Sequence, residues 1–338
     1  MRILIIGPSW VGDTIIAQGL FKKLKETYPE SSIDVLAPEW TLSLLDRMKE
    51  VSNSILLPFL HGDLLIKRRW NLGRNLKDTY DWVLILPNSL KSTIVPLAAN
   101  IPKRTGWLGE LRHFLLNDTR KLVMKDHPLM IQRFCALANN FQPVGDDYNF
   151  PSLEVDVSNI DRISKEYDLD FKNNPIILCP GAEFGPAKRW PTKKYAEVGD
   201  HYLDLGKQVL LIGSKKDMLV CAEVAGNMKL EKESSFFDLS GKTSLLDVVD
   251  IISQGTVISN DSGLMHVAAA VGSYQVALFG PTDPEFTPPL NVRAKILRKS
   301  KGYSKVREGK GEHGYHESLL EISSIEVIDE IDNLIKKI

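Results

Sequence analysis

The chain has 338 residues, with 42 Lys and Arg against 43 Asp and Glu and a formal net charge of -1. At roughly 150 residues per domain this length predicts about two domains. Hydrophobic residues make up 43% and charged residues 25%, which is ordinary for a soluble globular protein and excludes a disordered, collagen-like or disulfide-rich chain. The balanced charge argues against a dedicated nucleic-acid-binding protein, although it leaves room for a local basic patch.

Neither the cysteines nor the apolar segments indicate a secreted or membrane-spanning protein. Cys135, Cys179 and Cys221 are far apart and form no CxxC pair, which predicts buried, reduced thiols in a cytosolic protein. No apolar run approaches the roughly 20 residues needed to cross a bilayer. The apolar N-terminus breaks at Gly7-Pro8, which favours a buried first strand over a signal peptide.

The first half of the chain alternates short apolar runs with helical patterns. Ile3–Ile6 is followed by a glycine-containing loop and a helical pattern to about Tyr28. Further apolar runs lie at Ser32–Ala37 and Trp82–Leu86. Alternation of this kind is typical of a parallel α/β sheet, whose strands are buried on both faces.

The pattern restarts near residue 175, after a stretch rich in Pro, Asp and Asn at 142–174 that marks the expected boundary. The predicted elements are strands at Pro175–Cys179, Gln208–Ile212, Thr256–Ser259 and Gln275–Phe279, and helices at Thr192–Leu205, Leu264–Val271 and Ser323–Ile338. We therefore expect two α/β lobes, residues 1–155 and 156–322, followed by a terminal helix at 323–338. Because ligands of open α/β sheets bind beyond the carboxyl ends of the strands, two such lobes imply a cleft.

Two glycine-containing loops directly after predicted strands carry candidate site residues. The first, Gly7–Asp13, has neither the GxGxxG nor the P-loop spacing. Its Asp13 is either a first-turn residue stabilised by the helix dipole or a general base. The second loop, Pro180–Pro191, combines glycines with Lys188 and Arg189. It suits phosphate binding, with an ordinary solvated loop as the alternative.

A third segment opens a helix of small residues at Ser262 and Gly263. Free N–H groups at such a helix start favour a pyrophosphate. The alternative for Asp261 or Ser262 is a simple helix cap. His266, one turn into the helix, is either structural or faces the same site. The turn Gly280–Pro284 is expected close to the same crevice.

Cationic residues cluster in the first half of the chain. They are Lys67, Arg68, Arg69, Lys91, Arg104, Arg112, Arg120 and Arg133. Any single one is expected to be an ordinary surface charge, but together they suit an acceptor that carries phosphate or carboxylate groups.

Taken together, these motifs resemble the ADP-heptose:lipopolysaccharide heptosyltransferases of glycosyltransferase family 9. The segments that carry the resemblance are Gly7–Asp13, Pro180–Pro191, Asn260–Ala270 and Gly280–Pro284, supported by Leu86–Ser92, Arg104–Arg112, Leu116–Asp118 and Gly314–Leu319. The resemblance covers nearly the whole chain. It implies a GT-B fold, in which two Rossmann-like lobes with parallel sheets face a central cleft and the nucleotide lies mainly on the C-terminal lobe. By analogy with that fold, the helix at 323–338 crosses back to the N-terminal lobe.

The resemblance also implies an activity: inverting, metal-independent transfer of L-glycero-D-manno-heptose from ADP-heptose to the first heptose of the lipopolysaccharide inner core. Asn88–Ser92 and Gly314–His316 favour the type II members of the family. Type I members, other GT-B nucleotide-sugar transferases and a non-catalytic nucleotide-sugar-binding protein are the alternatives. No cofactor is expected. The acceptor, heptosyl-Kdo2-lipid A, places the expected enzyme in the cytoplasm, peripherally at the inner membrane.

Site residues follow from the resemblance position by position. Asp13 matches the general base, and Lys188 matches the lysine that contacts the donor diphosphate. The other donor-side expectations are Ser9, Gly12, Gly181, Asp217 near the ribose, Thr243 near the adenine, Asp261, Ser262, Gly263 and His266. The acceptor-side expectations are Arg68, Arg69, Asn88, Lys91, Arg104, Arg112 and Arg120. No DxD motif stands at a strand end, so no metal site is expected.

Overall fold

The computed structural model describes residues 1–60, 62–229 and 233–336. Contacts among these residues divide the chain into two units, Met1–Pro151 and Ser152–Ile338. The boundary expected at residue 155 lies just after the observed division.

The first unit contains a parallel six-stranded sheet. Its strands are β1 (Arg2–Ile6), β2 (Ser32–Ala37), β3 (Asn53–Leu56), β4 (Trp82–Ile85), β5 (Lys103–Trp107) and β6 (Asp118–Arg120). Its helices are α1 (Val11–Thr27), α2 (Glu39–Leu45), α3 (Ile66–Asn75), α4 (Ile94–Ala98) and α5 (Met130–Ala138). The order β3-β2-β1-β4-β5-β6 reverses direction between β1 and β4, and ligands of open α/β sheets bind at such a switch point.

The second unit repeats this topology. Its strands are β7 (Ile176–Cys179), β8 (Val209–Leu211), β9 (Phe236–Asp238), β10 (Thr256–Asn260), β11 (Gln275–Phe279) and β12 (Ala294–Arg298). Its helices are α6 (Val157–Tyr167), α7 (Thr192–Asp204), α8 (Met218–Asn227), α9 (Leu245–Ile252), α10 (Gly263–Ala270), α11 (Glu317–Leu320) and α12 (Ser324–Ile335). The order β12-β11-β10-β7-β8-β9 places the switch point between β7 and β10.

Short 3₁₀ turns connect these elements. They lie at Leu90–Thr93, Met124–Asp126, Phe171–Asn173, Pro186–Lys188, Lys215–Asp217, Glu233–Ser235 and Glu312–Gly314. Two of them, Leu90–Thr93 and Pro186–Lys188, follow β4 and β7 and so lie at the switch points.

The terminal helix packs on the second unit. Its apolar face, with Val327 and Ile331 fully buried, joins the core of the second unit beside Leu319 and Ile322. The Tyr202 hydroxyl of α7 donates a hydrogen bond of 2.8 Å to Asp332 of α12. The helix therefore belongs to the second unit.

The three cysteines are free and buried, which confirms the expectation of unpaired thiols. Burial raises the pKa of Cys135 and of Cys221 to about 12, so both thiols stay protonated at neutral pH. No helix in the described part of the chain is long and apolar enough to span a bilayer.

Candidate active site

Three loops of the second unit meet at the Asp261 carboxylate. Lys188 Nζ lies 2.6 Å from Asp261 Oδ2, and the two side chains are only 17% and 7% exposed. The Thr282 hydroxyl donates to the same oxygen at 2.6 Å. These residues follow β7, β10 and β11, so the cluster joins the strand ends around the switch point. The structure thereby brings together Lys188 and Asp261, both expected from the motifs, and adds Thr282.

Asn260, the last residue of β10, holds the Lys188 loop against the sheet. Its Oδ1 accepts a hydrogen bond of 2.9 Å from the backbone N–H of Trp190. Its Nδ2 donates to the Pro180 carbonyl at 2.8 Å. The side chain is fully buried, so these bonds form where competing water is absent and fix both ends of the loop.

The start of α10 offers unoccupied donors beside this cluster. Ser262 precedes the helix in an extended conformation, and its side chain forms no capping hydrogen bond. Its hydroxyl oxygen is buried and has no hydrogen-bond partner among the described residues. The first N–H groups of a helix have no partner within the helix and carry its positive dipole end. The start of α10 at Ser262 and Gly263 therefore has the donors and the dipole that suit an anion.

His266 lies one turn further along α10 and is 6% exposed. Burial lowers the pKa of its imidazole to about 4, and the charge of Lys188 adds to this effect while Asp261 opposes it. The imidazole is therefore neutral at pH 7, with one donor and one acceptor nitrogen.

Arg307 is a candidate that the sequence motifs missed. Its Cζ lies 5.4 Å from the centre of the Phe184 ring, and Lys188 Nζ lies 5.4 Å from the same ring centre. The Arg307 carbonyl accepts a hydrogen bond of 3.1 Å from the Ala187 N–H. The segment after β12 therefore lies directly on the Lys188 loop. The signal in the sequence was a run of cations: Arg298, Lys299, Lys301, Lys305, Arg307 and Lys310.

Two further donor-side expectations, Gly181 and Asp217, are neighbours. A Cβ added at Gly181 would lie 2.5 Å from Cγ of Asp217, so only glycine allows this approach. Asp217 Oδ2 accepts hydrogen bonds from the Ser214 N–H at 2.9 Å and the Ser214 hydroxyl at 2.7 Å. Thr243, the remaining one, precedes α9, and its hydroxyl lies 3.5 Å from the Leu239 carbonyl.

In the first unit, Ser9, Gly12 and Asp13 lie in the loop that joins β1 to α1. Asp13 stands half-buried in the first turn of α1, beyond the carboxyl end of β1. The Trp40 indole N–H donates to the Ser9 carbonyl at 2.8 Å, which fixes the loop against the start of α2. The candidate base is thus placed at the switch point of its own sheet.

A cavity of about 370 Å³ opens near this loop. Its walls are Glu39, Trp40, Leu56, Leu57, Pro58, Phe59, Leu60, Asp63, Leu65 and Arg68. Arg68 is exposed, and Trp40 joins the cavity to the Ser9 carbonyl. The cavity therefore combines aromatic faces with a cation that has access to solvent.

Arg69 and Arg112 do not project into solvent, in contrast to the surface role expected of them. Arg69 Nε and Nη2 donate to the carbonyls of Leu64 and Asp63, both at 2.9 Å. Arg112 is fully buried, and burial lowers its pKa to about 10. It donates to the carbonyls of Pro87 and Trp107 and, at 2.9 Å, to Asn88 Oδ1. Both guanidinium groups therefore hold loops in place.

The remaining acceptor-side expectations differ in exposure. Arg104 is half-buried and donates to the carbonyls of Leu115 and Ile101 at 2.8 and 2.7 Å. Asn88 and Arg120 are exposed, and Lys91 is half-buried in the turn after β4. Arg68, Arg120, Asn88 and Lys91 are thus the members of this set that reach solvent at the carboxyl edge.

Comparison with known proteins identifies the family. The sequence profile of glycosyltransferase family 9 (heptosyltransferase) matches residues 69–316. Lipopolysaccharide heptosyltransferase 2 of Escherichia coli strain K12 is 43% identical over 343 residues, which cover 99% of each chain. The chain belongs to glycosyltransferase family 9. Lipooligosaccharide heptosyltransferase 2 of Haemophilus influenzae is 44% identical to this family 9 member over 347 residues, covering 100% of both chains.

A solved structure supports the same conclusion for the fold. The structure of E. coli ADP-heptose lps heptosyltransferase II is similar to this family 9 glycosyltransferase with a TM-score of 0.89 and 40% identity, covering 100% of this chain and 99% of the other. The expected GT-B fold and the expected glycosyltransferase class are therefore confirmed. Within residues 1–60, 62–229 and 233–336, no three His, Cys, Asp or Glu side chains are grouped so that they could hold a metal ion.

Proposed function

We propose that this family 9 enzyme transfers L-glycero-D-manno-heptose from ADP-heptose to the first heptose of the lipopolysaccharide inner core. The observation that carries the proposal is the cluster of Lys188, Asp261 and Thr282 in front of the open start of α10. Similarity over the full length to E. coli Lipopolysaccharide heptosyltransferase 2 supports this choice of sugar and acceptor.

The donor diphosphate binds where α10 begins. The Ser262 hydroxyl and the first N–H groups of α10 donate to its oxygens, and the helix dipole favours its charge. Asp261 pairs with Lys188, so the two side chains together have almost no net charge with which to attract a diphosphate. Arg307, which lies on the same aromatic ring, supplies the second cation. These groups stabilise the ADP that departs during transfer.

Asp13 acts on the acceptor. In a single displacement the acceptor hydroxyl oxygen forms a bond to the anomeric carbon while the bond from that carbon to the phosphate oxygen breaks. The hydroxyl proton passes to the Asp13 carboxylate, and the electron pair of the broken bond leaves with ADP. One displacement inverts the anomeric centre, and a base positioned in this way contributes about 10²- to 10⁴-fold to the rate.

The acceptor-side cations of the first unit divide into two roles. Arg68, Arg120 and Lys91 contact the phosphate and carboxylate groups of heptosyl-Kdo2-lipid A, because these cations reach solvent at the carboxyl edge. Arg69 and Arg112 position the loops around them, and Arg112 orients Asn88. Arg104, near the start of β5, instead holds the Ile101 and Leu115 carbonyls. Since this acceptor is a membrane lipid, the enzyme works peripherally at the cytoplasmic face of the inner membrane.

The decisive experiment supplies ADP-heptose together with Kdo2-lipid A or its mono-heptosylated form and detects the product by mass spectrometry. We expect only the mono-heptosylated acceptor to be modified. Modification of Kdo2-lipid A alone would assign type I activity. Turnover of UDP-sugars instead of ADP-heptose would assign another GT-B transferase, and binding of the donor without turnover of any acceptor would indicate a non-catalytic protein.

Replacement of the candidate base separates catalysis from donor binding. We expect Asp13→Asn to lower kcat at least about 100-fold with the Kd for ADP unchanged. Glu30→Gln, an exposed carboxylate of the same unit, is the matched control and keeps the wild-type rate. Full activity of Asp13→Asn would remove Asp13 from the mechanism.

The proposed reaction needs no metal ion, because Lys188, Arg307 and the start of α10 supply the positive charge for the leaving diphosphate. We expect the rate to be unchanged when EDTA is added to protein prepared without metals. Loss of transfer that added Mg²⁺ restores would contradict this part of the proposal.

A further inference from the structure

The strand ends of the first unit form one rim. All six strands run parallel, so the loops that follow them leave the sheet at the same edge. The Gly7–Asp13 loop follows β1 in the middle of the sheet. The loop after β3 lies on one side of it, and the loops after β5 and β6 lie on the other. Asp13 is thus bordered by two flanks of the same rim.

The first flank, called here the α3 flank, consists of Leu64, Leu65, Ile66 and Trp70. These large apolar side chains are between 40% and 53% exposed. Ile66 and Trp70 are four residues apart on α3 and therefore share one helix face. Arg69 and Gly73 are the buried residues of α3, and a Cβ at Gly73 would collide with the Val95 carbonyl. Leu64, Leu65, Ile66 and Trp70 therefore border the packed side of α3 and keep about half of their surface in solvent.

The second flank, called here the β6 flank, consists of Leu111, Phe114, Val123 and Met124. Leu111 and Phe114 are 74% and 83% exposed, and Val123 and Met124 are also exposed. The Leu108 N–H donates to the Arg120 carbonyl at 2.8 Å, which ties the loop after β5 to the end of β6. Exposed apolar side chains gathered in this way mark an interaction surface rather than isolated surface residues.

The charge of the rim indicates what it contacts. At the start of α3, Lys67 and Arg68 are exposed beside the apolar residues, and the preceding Asp63 is half-buried. On the β6 flank the exposed cations Arg120, Lys121 and Lys125 outnumber the exposed acidic residues Glu110 and Asp126. Apolar side chains next to exposed cations are the combination that binds the interface of an anionic bilayer.

We propose that this rim docks on an anionic lipid bilayer, with the α3 flank and the β6 flank entering the headgroup layer on either side of the Asp13 loop. The inference deepens the proposed function, because an acceptor anchored in a membrane must be reached at the membrane surface. A second copy of the chain is the less favourable occupant, since two such rims would bring cations against cations.

Vesicle flotation tests the docking surface directly. The full-length protein is mixed with vesicles of phosphatidylcholine, with or without phosphatidylglycerol. We expect the wild type to float with the anionic vesicles and much less with the zwitterionic ones. The triple variant L64Q/I66Q/W70Q and the double variant L111Q/F114Q should each lose at least about tenfold in vesicle affinity, because fewer apolar groups enter the interface. Raised salt should weaken binding further.

The matched control carries the same kind of change in the second unit. Leu219 and Val292 are 80% and 90% exposed, so L219Q/V292Q removes comparably exposed apolar groups that belong to neither flank. We expect this variant to float like the wild type. The altered side chains in all three variants are exposed, so we expect the thermal melting curves of the variants to match that of the wild type. Wild type that fails to float, or flank variants that float like the control, would overturn the proposal.

Activity measurements keep this inference separate from the proposed function. With a deacylated, water-soluble acceptor the flank variants should keep the wild-type kcat, whereas with the acceptor embedded in vesicles their rate should fall. If the wild type floats but transfers heptose to neither acceptor, the proposed function fails and the docking surface stands. Self-association of the wild type that both flank variants abolish, without vesicle binding, would assign the rim to a second copy and overturn the lipid proposal.

Discussion

At the scale of single residues, the donor site is organised by a carboxylate rather than by its cations. Asp261 accepts hydrogen bonds from Lys188 and Thr282, each 2.6 Å long. A buried carboxylate with two such donors fixes the ammonium group of Lys188 in one place. The same pairing neutralises that ammonium, so the charge that attracts a diphosphate must come from neighbouring groups.

Arg307 is the neighbour that we expect to supply this charge. Replacing it with alanine should raise the Kd for ADP about tenfold or more, because a hydrogen bond to a charged group contributes about 1.5–3 kcal/mol. Isothermal titration calorimetry measures the change. Arg293→Ala is the control, since Arg293 also lies over an aromatic ring, that of Tyr274. Equal ADP affinity in the wild type and Arg307→Ala would show that Arg307 does not bind the diphosphate.

Thr282 tests the positioning of Lys188 without altering a charge. In Thr282→Val the Asp261 oxygen loses one of its two donors, so we expect a severalfold weaker affinity for ADP and a loss of about 1 kcal/mol in stability. Thr282→Ser keeps the hydroxyl and should restore affinity. If the valine variant loses stability but binds ADP normally, Thr282 supports the fold alone.

Sequence reasoning reached some site residues and missed others for a physical reason. Asp261 follows β10 directly, and Asp13 and Lys188 lie in the connections that follow β1 and β7, so the position of each relative to a buried strand is readable from the sequence. Arg307 approaches the Lys188 loop only because the chain returns there after β12, which no local pattern encodes. Sequence also fails to separate Arg112 from exposed arginines, because two of its partners are backbone carbonyls, which no residue pattern marks.

At the scale of elements, the central strands were predictable and most edge strands were not. β1, β4, β7 and β10 are buried on both faces. The first three read as continuous apolar runs, and β10 has an apolar centre, Val257 and Ile258, followed by the motif at Asn260. β3, β6, β9 and β12 are half-exposed, and their short mixed sequences lack the apolar run that marks a buried strand. β5 was missed too, because it begins with Lys103 and Arg104. The strands that position the site are the buried ones, which is why the site was located and the sheet edges were not.

The loop between β7 and α7 depends on a glycine that the motif analysis did not single out. Gly185 has a φ of 145°, and an added Cβ would collide with the Arg307 carbonyl. Gly185→Ala should therefore displace the Arg307 segment, destabilise the second unit and weaken ADP binding at least about tenfold, since both strain and a steric clash oppose the native loop. Thermal melting and calorimetry measure the two effects.

A glycine without such a neighbour provides the control for this substitution. Gly226 lies in α8, and nothing lies within 4 Å of an added Cβ. Gly226→Ala should leave ADP binding unchanged and raise stability by up to about 1 kcal/mol, because alanine restricts the unfolded chain. If Gly185→Ala behaves like Gly226→Ala, the contact between the two segments does not shape the donor site.

At the scale of the whole molecule, nearly equal numbers of cationic and acidic residues conceal regions of very different local charge. The formal charge of -1 is a sum over two strongly basic segments, Leu64–Lys77 and Arg298–Lys310, and a more acidic remainder. One segment begins on the rim of the first unit and continues along α3, and the other contacts the donor loop of the second. Net charge therefore argued against a dedicated nucleic-acid-binding protein but carried no information about anionic substrates bound locally.

The stability of the molecule should also depend on His266, since the folded protein holds this imidazole neutral. Its folded-state pKa is lowered from 6.5 to about 4, so the unfolded chain binds the proton more readily than the folded one. The stabilising contribution is fully present above about pH 6.5 and is lost as the pH falls toward 4. At one pKa unit per 1.36 kcal/mol, the full loss is about 3 kcal/mol.

His266→Gln removes the titrating group while keeping a neutral polar side chain. We expect the free energy of unfolding of the variant to fall less steeply between about pH 6.5 and pH 4, although it starts lower at pH 7 because the packing beside Asp261 changes. Urea unfolding at a series of pH values measures this pH dependence for both proteins, on the transition in which the second unit unfolds. His113→Gln, which alters an exposed histidine, should follow the wild-type curve. Parallel curves for the wild type and His266→Gln would mean that other groups govern the loss of stability in acid.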